Sequence, residues 1–435
     1  MNTFELPKDF LQRMQAQLGA DYPAFLASYN EEPRRGLRIN TLKTAADAFL
    51  AAGLFPLAPT GILEEGFLLT ENVPSIGKHP FHLAGLFYLQ EPSAMATAAA
   101  AGIRPGMRVL DLCAAPGGKS GAAAAHLGGE GFLLSNEIVP NRAKILASTL
   151  ERLGAANAAV TSASPKEIAA AFPEWFDVVI VDAPCSGEGM FRKDEAARRE
   201  WSLEHVAACA QRQDNILASA AKTVRGGGAI VYSTCTFSPE ENEGAVERFL
   251  AAHDDFTLAH MHRLYPHSSP GEGHFVARLR KGGTKFKAQE ALPLKPCKDA
   301  AYASFLKDTF STPPKGDAFL LPDGRAVILR NALPKGLAGL RVLSSGVIAG
   351  ELKKNRFEPA HSLFLAAHGG TYAKTADFSH DDPTLHRFLA GEAVPCSENM
   401  RGYCAVTVQN HPIGFGKAVD GILKNHIPKG LRVNL

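Results

Sequence analysis

Five short apolar runs begin near residues 107, 131, 158, 176 and 227, and helical stretches starting near 117, 140, 203 and 240 lie among them. This strand-to-helix alternation predicts an α/β fold built on a doubly wound, mostly parallel sheet. Such a sheet binds its ligand in the crevice outside the carboxyl ends of its strands. The residues that end these runs are therefore the ones to read for chemistry.

The first run, MRVLDLCAAPGGKS (107–120), ends at Asp111 and enters a turn of small residues before a helix that starts near Lys119. GGKS after a strand is like the end of a phosphate-binding P-loop, but that motif needs a glycine where Cys113 stands. The dinucleotide pattern G-x-G-x-x-G is also missing from 109–120. What remains is a backbone that can approach a ligand closely at a helix amino terminus, which suits the carboxylate of an amino-acid-like molecule. Glu137 ends the next run, GFLLSNE, at the distance downstream where an acid grips a ribose in such sheets.

Two later runs end in cysteine: FDVVIVDAPCSGEG (176–189) carries Asp182 and Cys185, and GGAIVYSTCTFSPEENE (227–243) carries Cys235. Free cysteine is usually a packing residue, and Cys209, Cys297, Cys396 and Cys404 are read that way. Cys185 and Cys235 instead sit among small and turn-forming residues at strand ends. An acid beside one thiol, with a second thiol across the crevice, fits methylation of a cytosine ring carbon. Carbon 5 of cytosine is too electron-poor to take a methyl group until a thiolate adds at carbon 6, a case of covalent catalysis. A free thiol is only about 3% ionised at pH 7, so activation by a following helix terminus is expected. SPEENE (238–243) supplies one, with Ser238 as cap, Pro239 at the first position and glutamates in the first turn.

Taken in order, the segments LRINTLK (37–43), FYLQEPSAM (87–95), DLCAAPGGKS, DAPCSGEGMFRKD (182–194), STCTFSPEENE, RLYPH and GEGHFVA resemble the RNA (cytosine-5)-methyltransferases of the Nop/Sun type. Within that family the chain is most similar to the bacterial F-type branch acting on small-subunit (16S) ribosomal RNA. The resemblance implies a Rossmann-like class I S-adenosylmethionine-dependent methyltransferase domain, an N-terminal α+β RNA-binding extension and a C-terminal β-rich PUA-like domain. It implies that Cys113, Ala114, Ala115, Pro116, Gly117, Gly118 and Lys119 wrap the methionine end of the cofactor. Glu137 would bind its ribose, and Asp182 would lie near both cofactor and target base. Ser164 stands where the family usually carries an acid near the adenine. Cys235 is implied as the nucleophile and Cys185 as the residue that assists product release. DNA enzymes attack from the Pro-Cys motif, here Pro184-Cys185, so the second cysteine argues for the RNA class.

The expected divisions are an extension over 1–95, a catalytic domain over 96–282, a linker with a small α/β or β-rich domain over 283–369, and the PUA-like domain over 370–435. Seven cysteines without close regular spacing argue against a disulfide framework and against zinc. No apolar stretch reaches membrane-spanning length uninterrupted, so a cytoplasmic monomer without membrane or metal is expected. A net charge of +2 does not announce nucleic acid, so the distribution of charge must. Arg278, Arg280, Lys281, Lys285, Lys287, Lys295 and Lys298 form one cluster, and Arg401, Lys417, Lys424, Lys429 and Arg432 another. Phe275, Phe286, Tyr403 and Phe415 interleave with them, suggesting backbone and base contact. Arg34, Arg35, Arg38 and Lys43 would let the extension touch RNA. The expected partner is ribosomal RNA or the small subunit; transfer RNA methylation and a non-catalytic assembly factor are the alternatives.

Overall fold

The computed structural model describes residues 6–354, 356–367 and 369–434. Helices α1 (Lys8–Leu18) and α2 (Tyr22–Ser28) precede four antiparallel strands, β1 (Gly36–Ile39), β2 (Leu57–Pro59), β3 (Gly66–Leu69) and β4 (Phe87–Leu89), in the order β2-β3-β1-β4. The central sheet follows, with parallel strands β5 (Arg108–Asp111), β6 (Phe132–Asn136), β7 (Ala158–Thr161), β8 (Phe176–Asp182) and β9 (Val224–Thr234). Between them run α3 (Gly118–Leu127), α4 (Pro140–Leu153), α5 (Pro165–Ala171) and α6 (Leu203–Thr223). After α7 (Glu243–Ala252), the antiparallel hairpin of β10 (Phe256–Leu264) and β11 (His274–Lys281) extends the sheet beyond β9.

The strands form where the apolar runs fall because residues such as Val178, Val179, Ile180 and Val181 are buried, as a strand covered on both faces requires. The order β9-β8-β5-β6-β7 reverses direction between β5 and β8. A crevice opens at that switch point, outside the carboxyl ends of the strands.

The segment over 281–300, expected as a linker, is an extended strap held against the catalytic sheet. Gly226 N–H donates to Lys285 O at 2.6 Å, and the Arg108 guanidinium lies 4.3 Å over the Phe286 ring. Strands β12 (Lys295–Pro296), β13 (Asp317–Leu320) and β14 (Arg325–Leu329) build a third sheet. β15 (Val342–Ser345) leaves it to pair antiparallel with β7 as the eighth central strand. The third sheet is completed by β16 (Val347–Lys353) and β17 (Arg356–Pro359).

The last sheet contains β18 (Thr375–Phe378), β19 (Val394–Pro395), β20 (Gly402–Val408), β21 (His411–Val419) and β22 (Ile422–Asn425), in the order β18-β20-β21-β22-β19. The strands form a mixed sheet with β18 and β19 at its edges. Leu385, Phe388 and Val406 of this region share one core with Leu37 and Phe87 of the first sheet and with Phe49 of the helix between β1 and β2. The two ends of the chain thus fold on each other.

Burial corrects several expected RNA contacts. Arg38 is fully buried, donating from Nε to Gln90 Oε1 and from Nη2 to Gly118 O, both at 3.3 Å. Lys43 donates to Ala84 O at 2.7 Å. Lys281 is buried between Ala221 O and Val224 O, and Phe275 and Phe415 are core residues. Arg34 and Arg35 remain exposed.

Candidate functional site

A cavity of about 880 Å³ occupies the crevice, and its wall carries Cys113, Ala115, Glu137, Ser164, Asp182, Cys185 and Cys235. These residues lie far apart in sequence. They meet because each ends, or closely follows, a strand of the same parallel sheet.

At the end of β5, buried Asp111 accepts from Ser120 Oγ at 2.7 Å through Oδ2, while Oδ1 has no protein partner. Burial pushes its carboxyl up to about 7. The turn that follows is anchored by Ala114 N–H donating to Asn136 O at 2.9 Å. Gly117 has φ +115°, and a Cβ there would come within 2.9 Å of Thr149. At Gly118 a Cβ would meet the Tyr88 ring at 2.9 Å, so β4 of the first sheet covers this turn. The helix α3 starts at Gly118, one residue before Lys119. Ala114, Pro116, Gly117, Gly118 and Lys119 do not line the cavity themselves; Ala114 packs in the core behind it.

Glu137 is buried at the end of β6, where Oε1 accepts from Val139 N–H at 2.9 Å and Oε2 lies 3.4 Å from Arg142. Ser164 lines the cavity and also caps α5. Its hydroxyl accepts from Glu167 N–H at 3.3 Å and its backbone N–H donates to Glu167 Oε2 at 2.7 Å, a complete capping box.

Asp182 is the electrostatic centre. Its Oδ2 accepts from Lys119 Nζ at 2.7 Å and its Oδ1 from Ser233 Oγ at 2.8 Å. Burial alone would raise its carboxyl, but Lys119 and these hydrogen bonds bring it below the usual carboxylate range. Lys119, facing the same burial, is held above its ordinary value by Asp182. Buried His274 stands 3.9 Å from Asp182 and 3.0 Å from Thr97 Oγ1; burial and Lys119 lower it to about 3, so its ring is neutral.

Cys185 and Cys235 are half-buried, with their sulfurs 3.3 Å apart. The hydrogen bond to Cys235, together with burial, pushes the Cys185 thiol well up. The expected helix terminus behind Cys235 is absent at 238. Helix α7 starts at Glu243, and Ser238 donates to Glu188 Oε1 at 2.8 Å instead of capping it.

The opposite wall comes from α6 and includes Ala208, Gln211, Arg212, Asn215, Ile216 and Ser219. Sequence reading missed this wall. Its signal was present in the spacing, which keeps these residues on one helical face. Among the described residues no cluster of His, Cys, Asp or Glu could hold a metal ion, and no helix is long and apolar enough to cross a membrane.

A family profile described as 16S rRNA methyltransferase RsmB/F matches residues 100–303. Profiles for the N-terminal, first C-terminal and PUA domains of 16S rRNA methyltransferase RsmF match 6–92, 304–366 and 375–433. A protein named Ribosomal RNA small subunit methyltransferase F from Vibrio vulnificus (strain YJ016) is 32% identical, over 98% of this chain and 97% of its own. Its namesake from Aeromonas salmonicida (strain A449) is 33% identical, over 99% and 98%. Among solved structures, a methyltransferase homolog from Pyrococcus horikoshii is 28% identical with a TM-score of 0.57, covering 64% of this chain and 96% of its own. NSun6 from the same organism, solved with SFG, has the same TM-score at 21% identity, covering 64% and 98%, and supports the fold alone.

Proposed function

Because the chain belongs to the ribosomal RNA small subunit methyltransferase F family, we propose that it forms 5-methylcytosine in 16S ribosomal RNA through a covalent bond from Cys235 to carbon 6. One observation carries the reading: two thiols 3.3 Å apart share a cavity with Asp182, whose charge is balanced by Lys119. A non-catalytic assembly factor has no use for that arrangement.

S-adenosylmethionine, when bound, supplies the methyl group. The residues present fit it: a glycine turn that admits no Cβ, an unpartnered buried oxygen on Asp111 and the Glu137 carboxylate on the cavity wall. The turn at Cys113 to Lys119 would hold the methionine end and Glu137 the ribose. Ser164 would lie toward the adenine.

The protein's own groups then divide the chemistry. Cys235 adds to carbon 6, and the electron pair displaced onto the ring makes carbon 5 nucleophilic. Ring N3 takes a proton as that density arrives. Asp182 is a carboxylate in the free enzyme, so the proton comes from the Lys119–Asp182 pair, in which Lys119 carries it. Once carbon 5 has been substituted, its proton passes to solvent, ring N3 returns its proton to the Lys119–Asp182 pair, Cys235 leaves as the thiolate and aromaticity returns. Cys185, close against the leaving sulfur, assists that release.

Methyl transfer to purified small subunits, to naked 16S RNA and to transfer RNA tests the reading. Incorporation at a cytosine of 16S RNA is expected; labelled transfer RNA alone would overturn the substrate, and a label on any other atom the chemistry.

A further inference from the structure

Two buried carboxylates tie the cysteine loops together in opposite directions. Glu188, on the loop of Cys185, accepts from Phe237 N–H and Ser238 Oγ on the loop of Cys235, both at 2.8 Å, and from Trp201 Nε1 at 2.9 Å. Glu241, on the loop of Cys235, accepts from Ser186 N–H at 3.0 Å, from the Ser186 hydroxyl and from Gln213 Nε2 at 2.8 Å. Gln213 Nε2 also donates to Pro184 O, the carbonyl just before Cys185. Between these ties Gly189 N–H donates to Cys235 O at 2.8 Å, and a Cβ on Gly189 would lie 2.8 Å from that oxygen.

Both acids are at most 1% exposed, and neither lines the cavity. They therefore touch neither cofactor nor base. A carboxylate that accepts charge-assisted bonds from a backbone N–H fixes the backbone itself, more stiffly than contact between mobile side chains. The segments concerned are SGEG and SPEENE, whose acids a local reading would assign to helix capping.

We propose that Glu188 and Glu241 are positioning residues, a reciprocal clasp that keeps the Cys185 sulfur within reach of the Cys235 sulfur. The inference rests on the two-thiol reading above, but its test does not depend on methylation. Phenylarsine oxide reports thiol spacing directly, since one arsenic bonds two sulfurs and its oxygen leaves as water with the two thiol protons. The full-length protein is expected to hold one arsenical across Cys185 and Cys235 against excess monothiol, and Cys235→Ala to lose it.

Glu241→Ala should lose that capture and lower kcat by about 100-fold, the effect of an ångström-scale misplacement, with KM for S-adenosylmethionine unchanged. Glu241→Gln should restore both, because its amide oxygen can accept from Ser186 N–H and its nitrogen can donate to the Ser186 hydroxyl. If Glu241→Ala does not fold, Gly189→Ala decides, since its methyl pushes the same loops apart. A folded Glu241→Ala or Gly189→Ala with wild-type capture would overturn the clasp, whatever its kcat. Normal arsenical capture by a wild-type protein that methylates no cytosine would leave the clasp standing and remove the two-thiol mechanism.

Discussion

Cys185 and Cys235 end neighbouring strands, and spacing in the sequence does not distinguish their roles; the proposed mechanism gives Cys235 the attack and Cys185 the release. Cys235→Ala is therefore expected to be inactive and to form no adduct with RNA. Cys185→Ala should attack and then stall, accumulating a protein–RNA species that survives denaturing electrophoresis. Both should keep cofactor affinity, and adduct formed by Cys235→Ala but not by Cys185→Ala would exchange the roles. A second residue-scale prediction concerns Asp111. Its folded value is raised to about 7 from an ordinary value of about 4, so the folded state holds the extra proton between those pH values. Stability supplied by the protonated form is present below pH about 4 and is lost as pH rises toward 7. The Asp111→Asn variant lacks this slope, and melting curves across pH should show wild type declining relative to it over that window. An equal pH dependence would mean that Asp111 ionises normally. The cavity residues Cys113, Glu137, Asp182, Cys185 and Cys235 were legible because each follows a strand of one parallel sheet. The Lys119–Asp182 pair was not, since that bond joins the start of α3 to the end of β8 and leaves no local pattern.

Among elements, the turn between β5 and α3 is tightly constrained, because Thr149 and Tyr88 leave no room for a Cβ at Gly117 and Gly118. Gly118→Asp adds a Cβ within 2.9 Å of the Tyr88 ring, so the turn has to shift away from β4. On the proposed assignment of the turn to the methionine end, calorimetry should find S-adenosylmethionine binding abolished. Unchanged affinity in a folded variant would sink the assignment of the turn. The five parallel strands were readable as apolar runs bounded by turn residues. The start of α7 was not. Ser238, Pro239 and the glutamates after it have every local property of a helix amino terminus, yet Ser238 and Glu241 are engaged by Glu188 and Ser186, about fifty positions away in the chain. The hydrogen bonds those carboxylates accept hold Phe237, Ser238 and Ser186 in place of a cap, so the helix begins later.

At the scale of the whole molecule, the chain's ends share a core, and a deletion of 370–435 cannot be a clean test of RNA binding. It would uncover Phe81, whose ring lies 5.8 Å from His380 and 6.2 Å from His411, and a side chain of that size loses about 1.5 to 3 kcal/mol of burial; the truncated protein should melt well below the full chain. Sequence periodicity identified the β-rich tail but not this docking, because nothing within a strand states which distant sheet its apolar face will meet. The same holds for β15, which left its own sheet for β7. Point substitutions avoid the difficulty. Lys417 and Lys424 are exposed, lie directly opposite each other on β21 and β22, and Lys417 also stands 5.4 Å over Tyr403 on β20. Like charges facing each other across a sheet weaken it by about 0.2 to 1 kcal/mol, and the pair stands beside an aromatic ring of the kind on which bases stack. Replacing both lysines with alanine should leave the melting temperature unchanged or slightly higher while weakening RNA binding. The salt dependence should become shallower by about 0.7 for every phosphate of a single strand that the variant no longer neutralises. Affinity and salt slope both equal to wild type would mean that this row of the last sheet does not meet RNA.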